Sequence, residues 1–494
     1  MARGIGPRWA DTGELFMILG DWERHFESFR SGIIGIDLRY EGPWGTRPLL
    51  YADWMATGRL YEPIEQTLLS VAAPFYGNVH SKSSCVAEVS EALYEESRRQ
   101  IRSALHADER YALLLCGSGM TAAINKLVRL LQWPAGDMHE RPVIFTSHLE
   151  HHSNLLPWLE CGAEVVVVPP DRHGDPDLSA LEDSLHATRH RHPRAGAFSA
   201  CSNVSGRKLD VERIAQVLHA HGCLCFVDHS AHASHASVSV QADLGSGFDA
   251  VFFSGHKLLG GPGSPGVLCV KKELIASRIP DEPGGGSVKW TNPWGGRSYV
   301  DDVEVRESAG TPGVMQALRL AMALRLKEKM GEAPMAARNG RLRSRLLKGL
   351  SAVEGLQFLD AEHGGVAPVV SFWSERIHHH RFARLLSDLH GVQVRSGCSC
   401  AGTYGHVLLG IDRPRSQEIC EAIERNDLST KPGWVRVSLH PTSTDAEVDA
   451  IVAAIGEVQL DSHRIASDGY DAVLDRHASP ACREIETLLR RCFE

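Results

Sequence analysis

The sequence lacks several things, and each absence narrows what it can be. Its twelve cysteines are irregularly spaced and include no Cys-x-x-Cys pair. In a long chain that pattern argues for reduced thiols in a cytoplasmic setting rather than a disulfide framework. No run approaches the roughly 20 apolar residues a membrane span requires. Met1 to Gly20 shows no basic start followed by a long apolar segment, so no secretory signal is expected. The formal charge of −9 is small for 494 residues and is spread along the chain, which excludes a nucleic-acid footprint or an anionic-lipid surface as the leading reading. There is no internal repeat and no low-complexity block.

What is present is a strand and helix alternation. Between Leu113 and Val270 the short apolar runs YALLLCG, PVIFTS, AEVVVVPP, AGAFSA, CLCFVD, AVFFSG and GVLCV read as strands, and Thr121–Gln132, Leu178–Ala187 and Val211–Ala220 as amphipathic helices. Such alternation predicts an α/β fold with a mainly parallel sheet covered by helices on both faces. Functional groups should then gather at the carboxyl ends of the strands. A Gly/Pro-rich passage from PGGGSVKWTNPWGG to AGTPG precedes a long helical run, Val314–Lys327. Beyond it, Val369–Trp373, Arg381–Leu389, Trp434–Leu439 and Asp445–Val458 predict a smaller α+β domain. The expected division is an N-terminal segment over 1–50 packing on the small domain, a large domain over 51–315, the small domain over 316–460, and a helical extension over 461–494.

Three local patterns carry chemistry. In CGSGMTAAINKL a strand ends at glycine and a helix begins near Met120 or Thr121, so free N–H groups and a hydroxyl form a phosphate cradle, or merely a strand–turn–helix corner. Asp228 closes CLCFVD, and Lys257 follows AVFFSG within SGHK, placing an acid and an amine at neighbouring strand ends. A pyridine cofactor needs that pair: the amine condenses with its aldehyde, and the acid keeps the ring nitrogen protonated. A cap or surface ion pair is the alternative for Asp228. Ser254 and His256 add hydrogen-bond donors for a phosphate. The following glycines would let backbone approach a cofactor closely.

At this point the chain resembles the class V aminotransferase and cysteine desulfurase family, pyridoxal-phosphate enzymes of fold type I. The resemblance rests on SGHKLLGGPGSPGVL together with YADWMATGR, GNVHSKSS, GSGMT, EHHSNLLPW, SNVSG, VDHSAHA, ESAGTPG, RSGCSC and WVRVSLHPT, in family order from about Tyr51 to Val458. It implies an internal aldimine on Lys257, with Asp228 on the pyridine nitrogen and His151 stacked on the ring, close enough to help move protons. Phosphate contacts would come from Gly119, Met120, Thr121, Ser254 and His256. Thr311 would contribute another from the second subunit of a homodimer. Asn203 would sit near the cofactor hydroxyl or the substrate carboxylate, which Arg436 would clamp bidentately; without the resemblance Arg436 reads as an edge-strand surface residue. Substrates would enter past Ala56.

Arg-x-Gly-x-x-Cys within VRSGCSCAG resembles the short-loop desulfurase and selenocysteine lyase branch and points to Cys400 as the thiol that accepts sulfur, with Cys398 an extra thiol nearby. The expected reaction cleaves a carbon–sulfur or carbon–selenium bond in cysteine or a cysteine-like amino acid, with a sulfur-acceptor protein as the expected partner; an aminotransferase, epimerase or other lyase in which Cys400 is not catalytic is the alternative. No metal is expected, since Cys398, Cys400 and His406 do not complete a tetrahedron, and IHHHRF reads as a polar helix start. Two departures from the family stand out. Its Asp-Gly-Ala-Gln becomes Asp228-His229-Ser230-Ala231, which removes a glutamine and leaves open whether His229 or His232 compensates. Trp54 and Met55 place bulk where substrates enter.

Overall fold

The computed structural model describes residues 22–79, 83–133, 141–241 and 247–460, with a few positions between 485 and 492. Most of the expected C-terminal extension, the first 21 residues and the middle of GNVHSKSS lie outside the described residues. The central sheet has seven strands: β1 Tyr111–Cys116, β2 Val143–Ser147, β3 Glu164–Val168, β4 Arg194–Ser199, β5 Leu224–Asp228, β6 Ala250–Ser254 and β7 Gly266–Lys271. Their order is β1-β7-β6-β5-β4-β2-β3. Only β7 runs against its neighbours, pairing Gly266 with both Cys116 and Ser254; the other pairings are parallel.

The continuous apolar runs are explained by burial on both faces. Leu113, Val227, Val251 and Phe253 point into one core. Their alternates Leu114, Phe226 and Phe252 point into another, where Phe226 stacks on Trp158 with ring centroids 5.8 Å apart. The first core is closed by α1 Cys85–Ala104 and, later in the chain, α5 Val314–Met330; α2 Met120–Leu131 closes the second. Between them in sequence, α3 Leu178–Ala187 and α4 Val211–Ala220 start on Asp177 and Asp210, whose carboxylates cap the first amide groups.

The glycines after Lys257 serve the chain's own packing. A side chain at Gly266 would meet the Gly119 carbonyl at 2.1 Å, and one at Gly261 the Gly255 carbonyl at 2.1 Å. They let β7 and the loop cross other backbone, and none of them lines the cavity described below.

A second, four-stranded antiparallel sheet follows: β8 Leu356–Leu359, β9 Val369–Ser374, β10 Arg395–Gly397 and β11 Trp434–Ser438, in the order β8-β9-β11-β10. It packs with α6 Glu332–Ser351 and α7 Asp445–Leu460 around a core of its own. β11 is interior to this sheet, so Arg436 is buried at 2% exposure rather than on an edge. Leu50 and Tyr51 pair with Val392 and Gln393, and Arg30 binds Glu447 through both guanidinium ends. These links bring residues 52–57 and the 395–400 loop against the strand ends of the large sheet.

Candidate active site

The strand ends of β4, β5 and β6 deliver Ser199, Asp228 and Ser254 to one cavity of about 180 Å³, and Lys257 follows on the turn after β6. Ala56, Met120, Thr121, His151, Asn203, His256 and Arg436 line it too. Gly119 lies directly behind: a side chain there would sit 3.2 Å from Ser254 Oγ and 3.6 Å from the His256 ring. Thus ten of the side chains singled out from sequence converge, drawn from segments more than 300 residues apart.

The electrostatics follow from burial. Desolvation draws the Lys257 ammonium down to about 8; the carboxylate of Asp228 opposes this, and the guanidinium groups of Arg436 and Arg395 add to it. Asp228, 4% exposed, is pushed up by the same desolvation, while the Ser230 hydroxyl and amide and the charge of Lys257 pull it back. Ser230 N–H reaches its Oδ1 at 2.8 Å.

Several groups are already engaged within the chain. The Met120 amide, expected to face a phosphate, donates to Ser254 Oγ at 2.9 Å, because the α2 start abuts the β6 end. Thr121 Oγ1 lies 2.8 Å from Ser153 Oγ, and His256 Nδ1 lies 3.1 Å from Thr57 Oγ1. Arg436 donates to Asp53 at 2.7 Å and to the Asn203 carbonyl at 3.0 Å, so both guanidinium ends that were expected to clamp a carboxylate hold the chain instead; Nε is buried without a partner among the described residues. Asn203 spends its amide on the Ser399 carbonyl at 2.7 Å.

Cys400 stands just outside the cavity lining, against His151 and Arg395, which are in it. Its thiol is held below the usual range, chiefly by hydrogen bonding to His151 and then by the charges of His151 and Arg395, against the opposing effect of burial. His151 is pushed down by desolvation, and its Nδ1 accepts the Ser153 amide at 3.1 Å. The thiol loop is strained: Ser399 and Cys400 have φ of 52° and 57°, a left-handed pair that costs non-glycine residues about 1–3 kcal/mol each. The surroundings fix it. Asn203 binds the Ser399 carbonyl, the His152 amide donates to the Cys400 carbonyl at 2.7 Å, and the Gly402 amide donates to His152 Nε2 at 2.9 Å.

Other expected residues are elsewhere. Cys398 is half-buried against the large core. His406 spends both ring nitrogens, on the Gly402 carbonyl and on Ser416, and no cluster of three metal-ligating side chains occurs among the described residues. His378 precedes the helix His379–Leu385, as IHHHRF suggested. Thr311 is exposed and does not line this chain's cavity. Neither His229 nor His232 lines it, whereas Ser230 and Ala231 do. Of the two bulky departures, Met55 faces the cavity, whereas Trp54 stacks on His440 with centroids 4.4 Å apart. Arg395, Ser399 and Cys201 are lining residues that the sequence reading did not single out as site residues. Arg395 and Ser399 both lie within the Arg-x-Gly-x-x-Cys segment; nothing in the sequence marked Cys201.

A family model for aminotransferase class V matches residues 50–451. The chain belongs to the class V aminotransferase family. Among this enzyme family's curated members, it is 29% identical over 358 residues to a probable cysteine desulfurase of Halalkalibacterium halodurans, covering 72% of this chain and 84% of that protein. It is 27% identical over 416 residues to a probable cysteine desulfurase of Vibrio cholerae, covering 83% and 93%. Among solved structures, the Escherichia coli cysteine desulfurase CsdA superposes with a TM-score of 0.69 at 26% identity, over 88% of this chain and 98% of that one. The apo cysteine desulfurase of Thermococcus onnurineus NA1 gives 0.68 at 26% identity, over 83% and 95%. The seven-stranded sheet with its smaller companion domain is therefore the fold of these family enzymes, as the alternation of strands and helices predicted.

Proposed function

We propose that this class V enzyme is a cysteine desulfurase: it removes sulfur from cysteine or a cysteine-like amino acid, in the manner of the short-loop branch, and Cys400 receives the sulfur. The observation that carries the reading is a thiol with a lowered pKa, held by His151 and Arg395 at the rim of a cavity floored by Lys257 and Asp228.

The residues present fit pyridoxal phosphate. A lysine with its pKa near 8 supplies the amine, a buried carboxylate faces the same space, and Ser254 keeps a hydroxyl proton to donate after accepting from Met120. Ser399 Oγ is buried at the cavity with no partner among the described residues, the kind of polar atom that a bound group satisfies. Bound through its aldehyde at Lys257, the cofactor supplies an electron sink for bonds at the substrate α-carbon. Asp228 would hold the pyridine nitrogen, and Ser254, His256 and Thr121 would hold the phosphate beside Gly119 and the Met120 turn, with His151 over the ring. Asn203, Arg395 and Arg436 surround the substrate carboxylate; Arg436 reaches it only by exchanging its bond to Asp53.

His151 accepts the Cys400 proton, leaving a thiolate. Attack of that thiolate on the substrate sulfur forms a sulfur–sulfur bond and breaks the carbon–sulfur bond, with the bonding pair passing to the carbon side. Lys257 takes the α-proton and later returns it, His151 passes the Cys400 proton to the β-carbon to complete alanine, and the persulfide on Cys400 passes to a sulfur-acceptor protein. The contacts that hold the strained loop keep the thiol at the rim, where an acceptor can reach it. The active unit is a homodimer in which Thr311 completes the partner's phosphate site, in the cytoplasm. No described helix is long and apolar enough to cross a membrane.

The test is incubation of the purified protein with L-cysteine, measuring alanine, sulfide and protein-bound persulfide. Cys400→Ser should lower alanine formation by at least about 100-fold while the bound cofactor keeps its spectrum. Undiminished alanine from that variant would favour an aminotransferase, epimerase or other lyase, to be sought with amino acids and keto-acid acceptors.

A further inference from the structure

Away from the cofactor cavity, a cleft of about 660 Å³ opens between the C-terminal half of α1, the end of α5, the start of α6 and residues 235–238. That volume is in the range of small-molecule sites. Its rim charges are matched: Arg99 pairs with Glu96 and Arg325 with Glu328, while Glu332 accepts the Ser237 hydroxyl and amide.

The floor is different. Lys327 Nζ donates to the carbonyls of Ala233 at 2.9 Å and Ala236 at 2.8 Å, and among the described residues it has no ion-pair partner. An ammonium carries three protons, so one is left over. Glu332 offsets the charge only from beyond ion-pair distance, and burial lowers the amine to about 8. Beside it in the wall is His235, 1% exposed, whose Nε2 has no partner among the described residues. A buried cation without an ion-pair partner next to an unsatisfied imidazole nitrogen is unfavourable unless a ligand completes both.

We propose that this cleft is a second binding site, for a small organic carboxylate whose anionic group meets Lys327 and His235 at the floor. Ala233 and Ala236 lie on the same turn as Asp228 to Ala231, so a ligand here stiffens the segment that carries Asp228 into the cofactor cavity. The inference does not depend on which reaction that cavity performs.

Calorimetric titration of the cofactor-loaded protein with succinate, against sodium chloride at equal ionic strength, tests it. Saturable binding with a Kd below about 1 mM is expected, weakened at least about tenfold by Lys327→Met. Ala104→Trp, at an exposed rim position, should block the cleft equally while leaving the lysine in place, which covers failure of the first variant to fold. No saturable heat by about 10 mM, or binding that survives Ala104→Trp, overturns the proposal. Inorganic phosphate bound as tightly as succinate overturns the assignment to an organic carboxylate.

Discussion

Asp228 and His229 are adjacent in sequence and begin two sets of buried titratable groups with opposite characters. On one side, Asp228, Lys257 and His151 line a cavity with Cys400 at its rim, and each is shifted by a specific charged or hydrogen-bonding partner as well as by burial. On the other, His229, His232 and His440 lie outside that cavity and are pushed down first of all by desolvation, with nearby like charges adding to it. His229 and His232 approach within 3.3 Å through Nδ1. The lesson is that a large pKa shift does not by itself mark chemistry. A shift of a buried group that lines no cavity describes packing; a shift opposed or set by a partner lining the same open space describes a site.

The strongest way to break this comparison is to remove the amine. Lys257→Ala should abolish a borohydride-reducible link to the cofactor altogether. In the parent protein the rate of cofactor loading should rise with pH, because the nucleophile is the neutral amine and its fraction grows as pH passes upward through about 8. The rise should be close to tenfold between about pH 7 and pH 9, followed by absorbance on mixing. A pH-independent rate, or a reducible link in the variant, would mean that Lys257 is not the reacting group.

A smaller effect is expected at the thiol. The His151 hydrogen bond is the largest cause of the lowered Cys400 pKa, so His151→Ala should return the thiol toward its ordinary value and slow its alkylation at neutral pH several-fold. Cys201 is the internal contrast. It lines the same cavity, but burial raises it to about 12, and it should remain unreactive in both proteins. If Cys201 is alkylated as fast as Cys400, the distinction between partnered and merely buried groups fails.

How much of this was legible in the sequence follows from where the signals lie. The strands, the helix starts and the placement of Asp228 and Lys257 depend on local periodicity and on strand ends, and both are written in contiguous residues. The engagement of Arg436 by Asp53, of Asn203 by Ser399 and of Met120 by Ser254 was not legible, because each joins segments separated by 134 to 383 residues. The glycines after Lys257 show a subtler limit. Their abundance signals a close approach, but only the packed structure reveals that the approaching partner is the chain's own backbone.

The histidine side of the comparison gives the smallest and most diagnostic effect. Burial holds His229 at about 3, and His232 well below its ordinary value, so the folded state prefers both rings neutral while the unfolded chain protonates them near 6.5. A group depressed in this way contributes its full stability above the unfolded pKa and loses it as pH falls from there toward the folded value. Each such histidine costs up to about 1.4 kcal/mol per pH unit over that window, and the 3.3 Å contact couples the two, so their losses need not simply add. The double replacement His229→Gln and His232→Gln removes both protonation sites. Denaturant unfolding of the two proteins at about pH 7 and pH 5 should show the parent losing about 1–3 kcal/mol more than the variant. Equal losses would show that these rings already carry protons in the folded protein, and the contrast with the cavity groups would disappear.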